Sequence, residues 1–232
     1  MNKCKTITLI IIRLLCVLIF PISYIVDPEY AGKITFFTVQ SNLFVLIIMI
    51  CSSIYDILIL CGKNIKMPNF IFYLKHISTT AISITFLVFG VILTPVLLKQ
   101  ELSNVVLSYS SIVMHQIIPV VAIIDWILDK PKKKVNYYFA PLAWSFPLYY
   151  YFFTLVIKEV GVTFPYYENG VTTESKFPYF FLDYEKYGWF RTDGEYIGVV
   201  YWLLIITLFV FAVSSLLILI KNLQFKKLQK PS

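Results

Sequence analysis

The sequence predicts an all-α integral membrane protein with six transmembrane helices. Of its 232 residues 59% are hydrophobic, and the mean hydropathy is +0.77, whereas a soluble domain is about 45–50% apolar. A helix that spans a bilayer needs about 20 apolar residues at about 1.5 Å rise per residue. Six segments meet this length: residues 6–26, 36–60, 72–98, 106–128, 135–157 and 197–220. No intervening stretch is long enough for a soluble domain, so residues 1–232 are predicted to form a single transmembrane domain.

The first segment is interpreted as a retained helix and not as a cleaved signal peptide. Its apolar run continues to Val26, and no small-residue cleavage site follows. The next connections are short, at residues 27–35, 61–71, 99–105 and 129–134. Short connections make consecutive helices antiparallel neighbours.

The connection over residues 158–196 differs in length and in its aromatic content. It contains Phe164-Pro-Tyr-Tyr167, Phe177-Pro-Tyr-Phe-Phe-Leu-Asp-Tyr184 and Tyr187-Gly-Trp-Phe190. Tyr and Trp favour a membrane interface because one end of each side chain is apolar and the other is polar. Two interpretations stay open: an aromatic belt at the outer interface, and a lid over a cavity that opens to the outer leaflet.

Charges alternate between the two ends of the segments. The N-terminus with the first segment, residues 61–75, residues 129–134 and the C-terminal tail hold 14 of the 20 Lys and Arg residues, and the other side holds six. Ten of the 13 acidic residues lie on that second side. By the positive-inside rule, both termini are predicted to be cytoplasmic. Basic runs beside spans favour membrane lipids as partners through anionic headgroups, and no nucleic-acid partner is predicted.

The four cysteines indicate neither a metal site nor a disulfide framework. They are Cys4, Cys16, Cys51 and Cys61, with no C-x-x-C spacing and none in the long connection. They are interpreted as small apolar side chains in packed helices. The sequence predicts no metal and no cofactor.

Polar residues inside the segments carry the functional signal, because polar groups in lipid are costly. In the second segment Thr38, Ser41 and Asn42 lie at i, i+3 and i+4 and share one helix face. Such residues can bond neighbouring membrane helices, for about 0.6–2 kcal/mol each. On composition alone this structural role is favoured over a functional site.

His115 is the ionisable residue of the fourth segment, with Ser111 one turn before it and Pro119 one turn after. At 1.5 Å per residue it lies roughly 12 Å below the outer end of the segment. An ionisable residue at that depth indicates a functional site; the alternative is a neutral imidazole bonded to a neighbouring helix. Because Pro119 has no N–H, the carbonyl of His115 loses its helical partner, and a bend is expected there.

A second polar layer is predicted nearer the cytoplasm. Arg13, Asp56, His76 and Asp125 lie one to a segment in the first four segments. Arg13 is expected to pair with Asp56 or Asp125, because a lone charge in lipid costs at least about 2.5 kcal/mol. A structural role is favoured, and a proton relay is the alternative.

Short motifs in the second and fourth segments resemble those of a known family. Ile34-Thr-Phe-Phe-Thr-Val-Gln-Ser-Asn-Leu43 is similar to the F-x-T segment of the androgen-induced and ADTRP-like membrane hydrolases. Met114-His-Gln-Ile-Ile-Pro119, followed by Asp125-Trp126, resembles their histidine-bearing helix. The bacterial branch, often labelled Pr6Pr membrane proteins, is similar through F-T-x-x-S-N, H-x-x-x-P and a late P-Y-F-F-L-D element, here Pro178 to Asp183.

The resemblance implies a six-helix protein of a bacterial plasma membrane that hydrolyses fatty-acyl lipid esters. Carried onto this sequence, Thr38 matches the nucleophile and His115 the base, and Ser41, Asn42 and Ser111 are the predicted substrate-binding residues. An imidazole can take the proton of a hydroxyl as that hydroxyl attacks a carbonyl carbon. Two alternatives stay open: a transporter or binding protein for small solutes or lipids that uses the same cavity, and a non-catalytic membrane protein that acts through partners.

Overall fold

Six long helices dominate the computed structural model, which describes residues 3–28, 33–129, 134–168, 171–193 and 197–229. Within these residues six helices are long and apolar enough to cross a membrane, which confirms the predicted fold class. They are α1 (Lys3–Val26), α2 (Phe37–Leu60), α3 (Asn69–Lys99), α4 (Tyr109–Leu128), α5 (Tyr137–Glu159) and α6 (Val199–Leu228).

Consecutive helices run in opposite directions, so α1 begins and α6 ends at the same face, called here the terminal face. At the opposite face, the hairpin face, the connection between α5 and α6 forms two antiparallel strands. These are β1 (Phe164–Glu168) and β2 (Val171–Ser175), with Phe164 opposite Ser175. The sequence predicted no strands there. Of the predicted basic turn at 129–134, residues 130–133 lie outside the described residues.

Both α3 and α4 contain a π-helical segment that ends two residues before a proline. In α4 the segment is Val113–Ile117, and the N–H of Ile118 donates to the carbonyl of Val113, five residues earlier. Pro119 follows and has no N–H to donate. A π turn holds one residue more than an α turn and often marks a functional site. The disturbance expected around His115 therefore takes the form of a widened turn.

The corresponding segment of α3 is Val88–Leu93. There the N–H of Thr94 donates to the carbonyl of Phe89, again five residues earlier, and Pro95 follows. Each proline thus stands at the point where regular α-helical bonding resumes.

Two apolar clusters form the core. One joins α1, α2, α3 and α4 through buried residues that include Cys16, Phe20, Val45, Leu46, Met49, Ile82, Val113, Ile118 and Ala122. The other joins α3, α5 and α6 to the long connection through Ile84, Val88, Ala143, Tyr150, Phe177, Phe180, Phe181, Leu182 and Val210. Aromatic residues of the connection are therefore part of the core and not only of an interfacial belt.

A close backbone crossing fixes the end of this connection. The N–H of Gly198 donates to the carbonyl of Arg191 over 2.7 Å. A Cβ at residue 198 would lie 2.5 Å from the carbonyl oxygen of Trp189. Only glycine fits this crossing, which holds the connection against the start of α6.

Candidate functional site

Thr38 and His115 meet in the half of the bundle near the hairpin face. Thr38 lies in the first turn of α2, and its Oγ1 is 3.2 Å from Nε2 of His115. The long α4 helix begins at Tyr109 and not at residue 106. His115 therefore lies about 9 Å from the start of α4.

The contacts of the other ring nitrogen, Nδ1, indicate which nitrogen of His115 carries the proton. Nδ1 lies 3.0 Å from the carbonyl oxygen of Ser111 and 3.3 Å from its hydroxyl. A carbonyl oxygen only accepts hydrogen bonds, so Nδ1 carries the proton and donates to it. Nε2 is then unprotonated and accepts the hydroxyl proton of Thr38. The sequence offered no carboxylate to orient the imidazole; a backbone carbonyl one turn earlier has that role.

Phe89 covers one face of the imidazole. The two ring centroids are 3.7 Å apart and the planes are 14° from parallel. Phe89 lies in the π segment of α3 and His115 in that of α4, so both irregular turns meet at this contact. The contact fixes the ring plane and keeps water from that face. Sequence reasoning missed Phe89, although Pro95 was an available signal for the irregular turn.

Ser41 and Asn42 hold the backbone of Thr38 through hydrogen bonds to its carbonyl. Asn42 Nδ2 donates to the carbonyls of Thr38, over 2.8 Å, and Met114, over 3.0 Å. Ser41 Oγ donates to the same Thr38 carbonyl over 3.0 Å and lies 2.7 Å from Thr85 Oγ1. Both side chains are fully buried. Their contacts fix the start of α2 against α3 and α4.

A cavity of about 310 Å³ lies beside Thr38. Its wall is mostly apolar and aromatic, from α3, α5, α6 and the long connection, and includes Ile84, Val88, Phe89, Trp144, Tyr150, Tyr179, Phe181 and Leu203. Among the described residues that wall includes Thr38, but not His115 or the predicted substrate-binding residues Ser41, Asn42 and Ser111. Thr38 is thus the polar group that reaches both the cavity and the imidazole.

The cavity reaches the surface of the bundle between α5 and α6. Phe152 of α5 and Leu204 of α6 both belong to its wall, and each is 57% exposed. Toward the terminal face the two helices are joined, since Trp144 Nε1 donates to Thr207 Oγ1 over 3.2 Å. In a membrane the opening between Phe152 and Leu204 faces lipid chains.

Two tyrosine hydroxyls stand at the start of α2. Tyr150 Oη donates to the carbonyl of Thr35 over 2.9 Å. The Tyr179 hydroxyl, from the long connection, lies near the Thr38 side chain, the N–H groups of Phe37 and Thr38, and the Tyr150 hydroxyl. Burial raises the pKa of Tyr179, and these hydrogen bonds oppose the rise without cancelling it. The sequence had indicated Tyr179 only as part of the P-Y-F-F-L-D motif.

A charged network occupies the half of the bundle near the terminal face. Arg13 contacts Asp56 and Asp125, each at 2.7 Å. Lys75 contacts Asp125 at 2.9 Å and Asp129 at 3.1 Å. Three cations and three carboxylates belong to this network: Arg13, Lys75, Lys221, Asp56, Asp125 and Asp129.

Lys221 enters the network from α6, where it donates to the carbonyls of Trp126 and Asp129. The sequence interpretation had included neither Lys75 nor Lys221, although both are cations within or beside apolar segments. Each buried charge now has an opposite charge or a carbonyl close by, as burial in a membrane requires.

His76 contacts the hydroxyl of Ser214, and the two lie in the same half as the charged network. His76 Nε2 is 2.8 Å from Ser214 Oγ, which donates to the carbonyl of Ala140 over 3.1 Å. Between this half and the Thr38–His115 pair lies a mostly apolar layer, in which Met49, Ile82 and Ile118 are fully buried. The buried hydroxyls of Thr80 and Ser83 at this depth donate to carbonyls of their own helix.

No family model matches this sequence, and no curated protein or solved structure matches it significantly. The resemblance to the androgen-induced and ADTRP-like family therefore rests on the short motifs around Thr38, His115 and Pro178. Within the described residues, no three His, Cys, Asp or Glu side chains are grouped to hold a metal ion. Fold and site together define a six-helix membrane protein with an oriented hydroxyl–imidazole pair beside an apolar cavity.

Proposed function

We propose that this protein is an intramembrane hydrolase of fatty-acyl lipid esters, with Thr38 as nucleophile and His115 as general base. The observation that supports this most is the 3.2 Å contact between Thr38 Oγ1, at the wall of an apolar cavity, and His115 Nε2, whose Nδ1 faces the Ser111 carbonyl. A hydroxyl is a weak nucleophile until a base takes its proton as it attacks. The pair supplies both groups.

In the proposed reaction Thr38 Oγ1 attacks the ester carbonyl carbon while its proton passes to His115 Nε2. The carbonyl π electrons move onto oxygen, and a tetrahedral adduct forms. Collapse of the adduct breaks the bond to the alkoxy group, which takes the proton from Nε2 and leaves as an alcohol. Water then attacks the acyl-threonine, again with His115 as base, which releases the fatty acid and restores Thr38.

The wall of the cavity supports an acyl chain as the bound group. Apart from Thr38, the side chains around it are largely aliphatic and aromatic, including Ile84, Val88 and Leu203. Burial of an apolar chain there is favourable by about 25 cal/mol per Å². The opening between Phe152 and Leu204 lets such a chain enter sideways from the bilayer, without an aqueous entrance.

The alternative of a transporter receives less support from the structure. A polar route would have to join the Thr38–His115 pair to His76 and Asp125. The apolar layer of Met49, Ile82 and Ile118 lies between them. A lipid-binding protein could use the same cavity, but a binding site for an acyl chain has no need of an imidazole oriented as a base.

We also propose that the terminal face lies in the cytoplasm of a bacterial plasma membrane and the hairpin face outside. The support is the charge distribution along the sequence, since 14 of the 20 Lys and Arg residues belong to the N-terminus with the first segment, residues 61–75, residues 129–134 and the C-terminal tail. The site would then open to the outer leaflet.

Hydrolysis is tested with purified protein in lipid nanodiscs and a series of long-chain fluorogenic acyl esters. We expect Thr38→Ala and His115→Ala each to lower turnover by at least about a thousandfold, the range seen when members of such a unit are removed. A matched control is Thr154→Ala, since Thr154 Oγ1 donates to the Tyr151 carbonyl over 2.7 Å. A phosphonate ester probe should label Thr38 in peptide mass spectrometry. Equal turnover by wild type, Thr38→Ala and His115→Ala would refute the proposal.

A further inference from the structure

Tyr179 is held rigidly at the cavity wall beside Thr38. Its ring stacks on that of Phe181, with centroids 5.1 Å apart and planes 4° from parallel. It meets the rings of Phe36 and Tyr150 at 6.1 and 6.3 Å. Three aromatic neighbours therefore fix where its hydroxyl points.

The start of α2 supplies hydrogen-bond donors to that hydroxyl. The N–H groups in the first turn of a helix have no acceptor within the helix. Phe36, which precedes α2, provides no side-chain cap. The Tyr179 hydroxyl lines the cavity with Thr38 and lies near the N–H groups of Phe37 and Thr38, which can donate to it, and near the hydroxyl of Tyr150. A hydroxyl that accepts such bonds becomes a stronger donor.

The direction of the Tyr179 proton follows from the bonds of its neighbours. The Thr38 proton points to His115 Nε2, so Thr38 Oγ1 can only accept from Tyr179. The adjacent Tyr150 uses its own proton on the carbonyl of Thr35. Of these two hydroxyls, Tyr179 is thus the one whose proton is free to point to the reacting oxygen.

We infer that Tyr179 is a third catalytic residue, whose hydroxyl donates a hydrogen bond to the oxyanion formed when Thr38 attacks an ester carbonyl. This inference rests on the proposed hydrolase function. In the adduct the new bond joins Thr38 Oγ1 to the carbonyl carbon, and the oxyanion is bonded to that same carbon. It therefore lies within reach of an O–H that had pointed to Oγ1. Tyr179 keeps its proton throughout, and the alkoxy group still receives its proton from His115.

The protonation state of Tyr179 agrees with this role. Burial raises its pKa above the ordinary value of a tyrosine. The hydroxyl is then a neutral donor over the whole neutral pH range. Donors already aimed at the place where charge develops need no reorganisation during the reaction, which makes them effective.

The test compares Tyr179→Phe with wild type in nanodiscs, using long-chain fluorogenic acyl esters. We expect kcat to fall by about 10²–10³-fold, as after loss of one oxyanion donor, while KM changes less than about threefold because the ring stays in the wall. A long-chain trifluoromethyl ketone, which forms an oxyanion on Thr38, should lose affinity by a similar factor. The matched control, the exposed Tyr149→Phe, should lower kcat by less than about tenfold.

A second variant keeps the hydroxyl and so preserves the fold. Site-specific trifluorotyrosine at residue 179 is more acidic than tyrosine, so donation should be lost at lower pH, and the alkaline limb of the kcat profile should move down. If wild type shows no Thr38-dependent turnover, both the hydrolase proposal and this inference fail. If wild type is active but Tyr179→Phe retains kcat and inhibitor affinity, or the alkaline limb of the trifluorotyrosine variant stays in place, only this inference fails.

Discussion

The bundle contains the two hydroxyl–imidazole pairs Thr38–His115 and Ser214–His76, which differ in their hydrogen bonds and in their access to a cavity. Thr38 and His115 are 3.2 Å apart near the hairpin face, and Ser214 and His76 are 2.8 Å apart nearer the terminal face. By distance alone, the second pair is the better candidate for a nucleophile and its base. The surrounding hydrogen bonds reverse that order.

The two pairs differ in whether Nε2 of the imidazole carries a hydrogen. Ser214 donates to the carbonyl of Ala140, so its oxygen must accept from His76 Nε2, which carries the hydrogen. His76 therefore cannot take the proton of Ser214. At the other pair the Ser111 carbonyl takes the hydrogen of Nδ1, and His115 Nε2 remains free to accept.

Access separates the pairs as well. Ser214 is fully buried between helices, whereas Thr38 is only partly buried and belongs to the wall of a cavity. A short hydroxyl–imidazole distance is thus a weak sign of catalysis by itself. The acceptor on the second ring nitrogen and the space beside the hydroxyl decide what the pair can do.

The largest difference that we expect between the hairpin-face half and the terminal-face half is the side of the membrane that each faces. In a variant with its four cysteines replaced, Thr173→Cys on β2 should react with an impermeant maleimide on intact cells. Lys226→Cys at the end of α6 should react only after the cells are opened. Both positions are exposed. Reaction of Lys226→Cys on intact cells would reverse the proposed orientation.

Removal of the Thr38 hydroxyl should mainly lower turnover, whereas removal of the Ser214 hydroxyl should mainly lower stability. Thr38→Ala should lower ester turnover by at least about a thousandfold. It should cost less stability than Ser214→Ala, because Thr38 is only partly buried and lines a cavity. Ser214→Ala leaves the buried Nε2–H of His76 without a partner, which should destabilise the fold by about 1–3 kcal/mol. Turnover per folded molecule should then stay within about twofold of wild type. Circular dichroism melts and activity assays on the same samples check both, and loss of turnover in Ser214→Ala would erase the contrast.

The charged network should affect turnover least. Arg13→Met leaves Asp56 and part of Asp125 uncompensated, which should cost about 3–5 kcal/mol of stability. Because the apolar layer separates this network from Thr38, turnover per folded molecule should change by less than about twofold. Arg13→Lys is the matched control, since it keeps the charge and should cost less. A thousandfold loss of turnover in folded Arg13→Met would show that the two halves are coupled.

Local composition was enough to predict the six helices, but not the contacts between them. Hydropathy sums over neighbouring residues, and each span exceeds the bilayer threshold by itself. Thr38 and His115 are 77 residues apart, so their approach depends on how α2 packs against α4. The family resemblance paired them in the sequence; spacing alone would not have done so.

Several features of the site escaped prediction for the same reason. Tyr179 reaches Thr38 only because the connection between α5 and α6 folds back into the bundle, which its aromatic content left undecided. Phe89 reaches His115 through two π turns, whose positions depend on non-local packing as well as on Pro95 and Pro119. Lys75 and Lys221 were overlooked because a single cation hardly lowers the hydropathy of a long apolar window.

The π turn at Val113–Ile117 has a consequence for how this chain can tolerate insertions and deletions. Each residue turns an α-helix by about 100°, but a π turn takes up one surplus residue within itself, so the helix beyond it keeps its face. Ser111 and Asp125 lie on either side of this turn, and both are buried. A one-residue deletion within Val113–Ile117 should therefore leave Ser111 and Asp125 on their present faces and displace His115, which lies inside the widened turn. The surplus residue thus sets the place of the imidazole without changing which face of α4 carries the charged network.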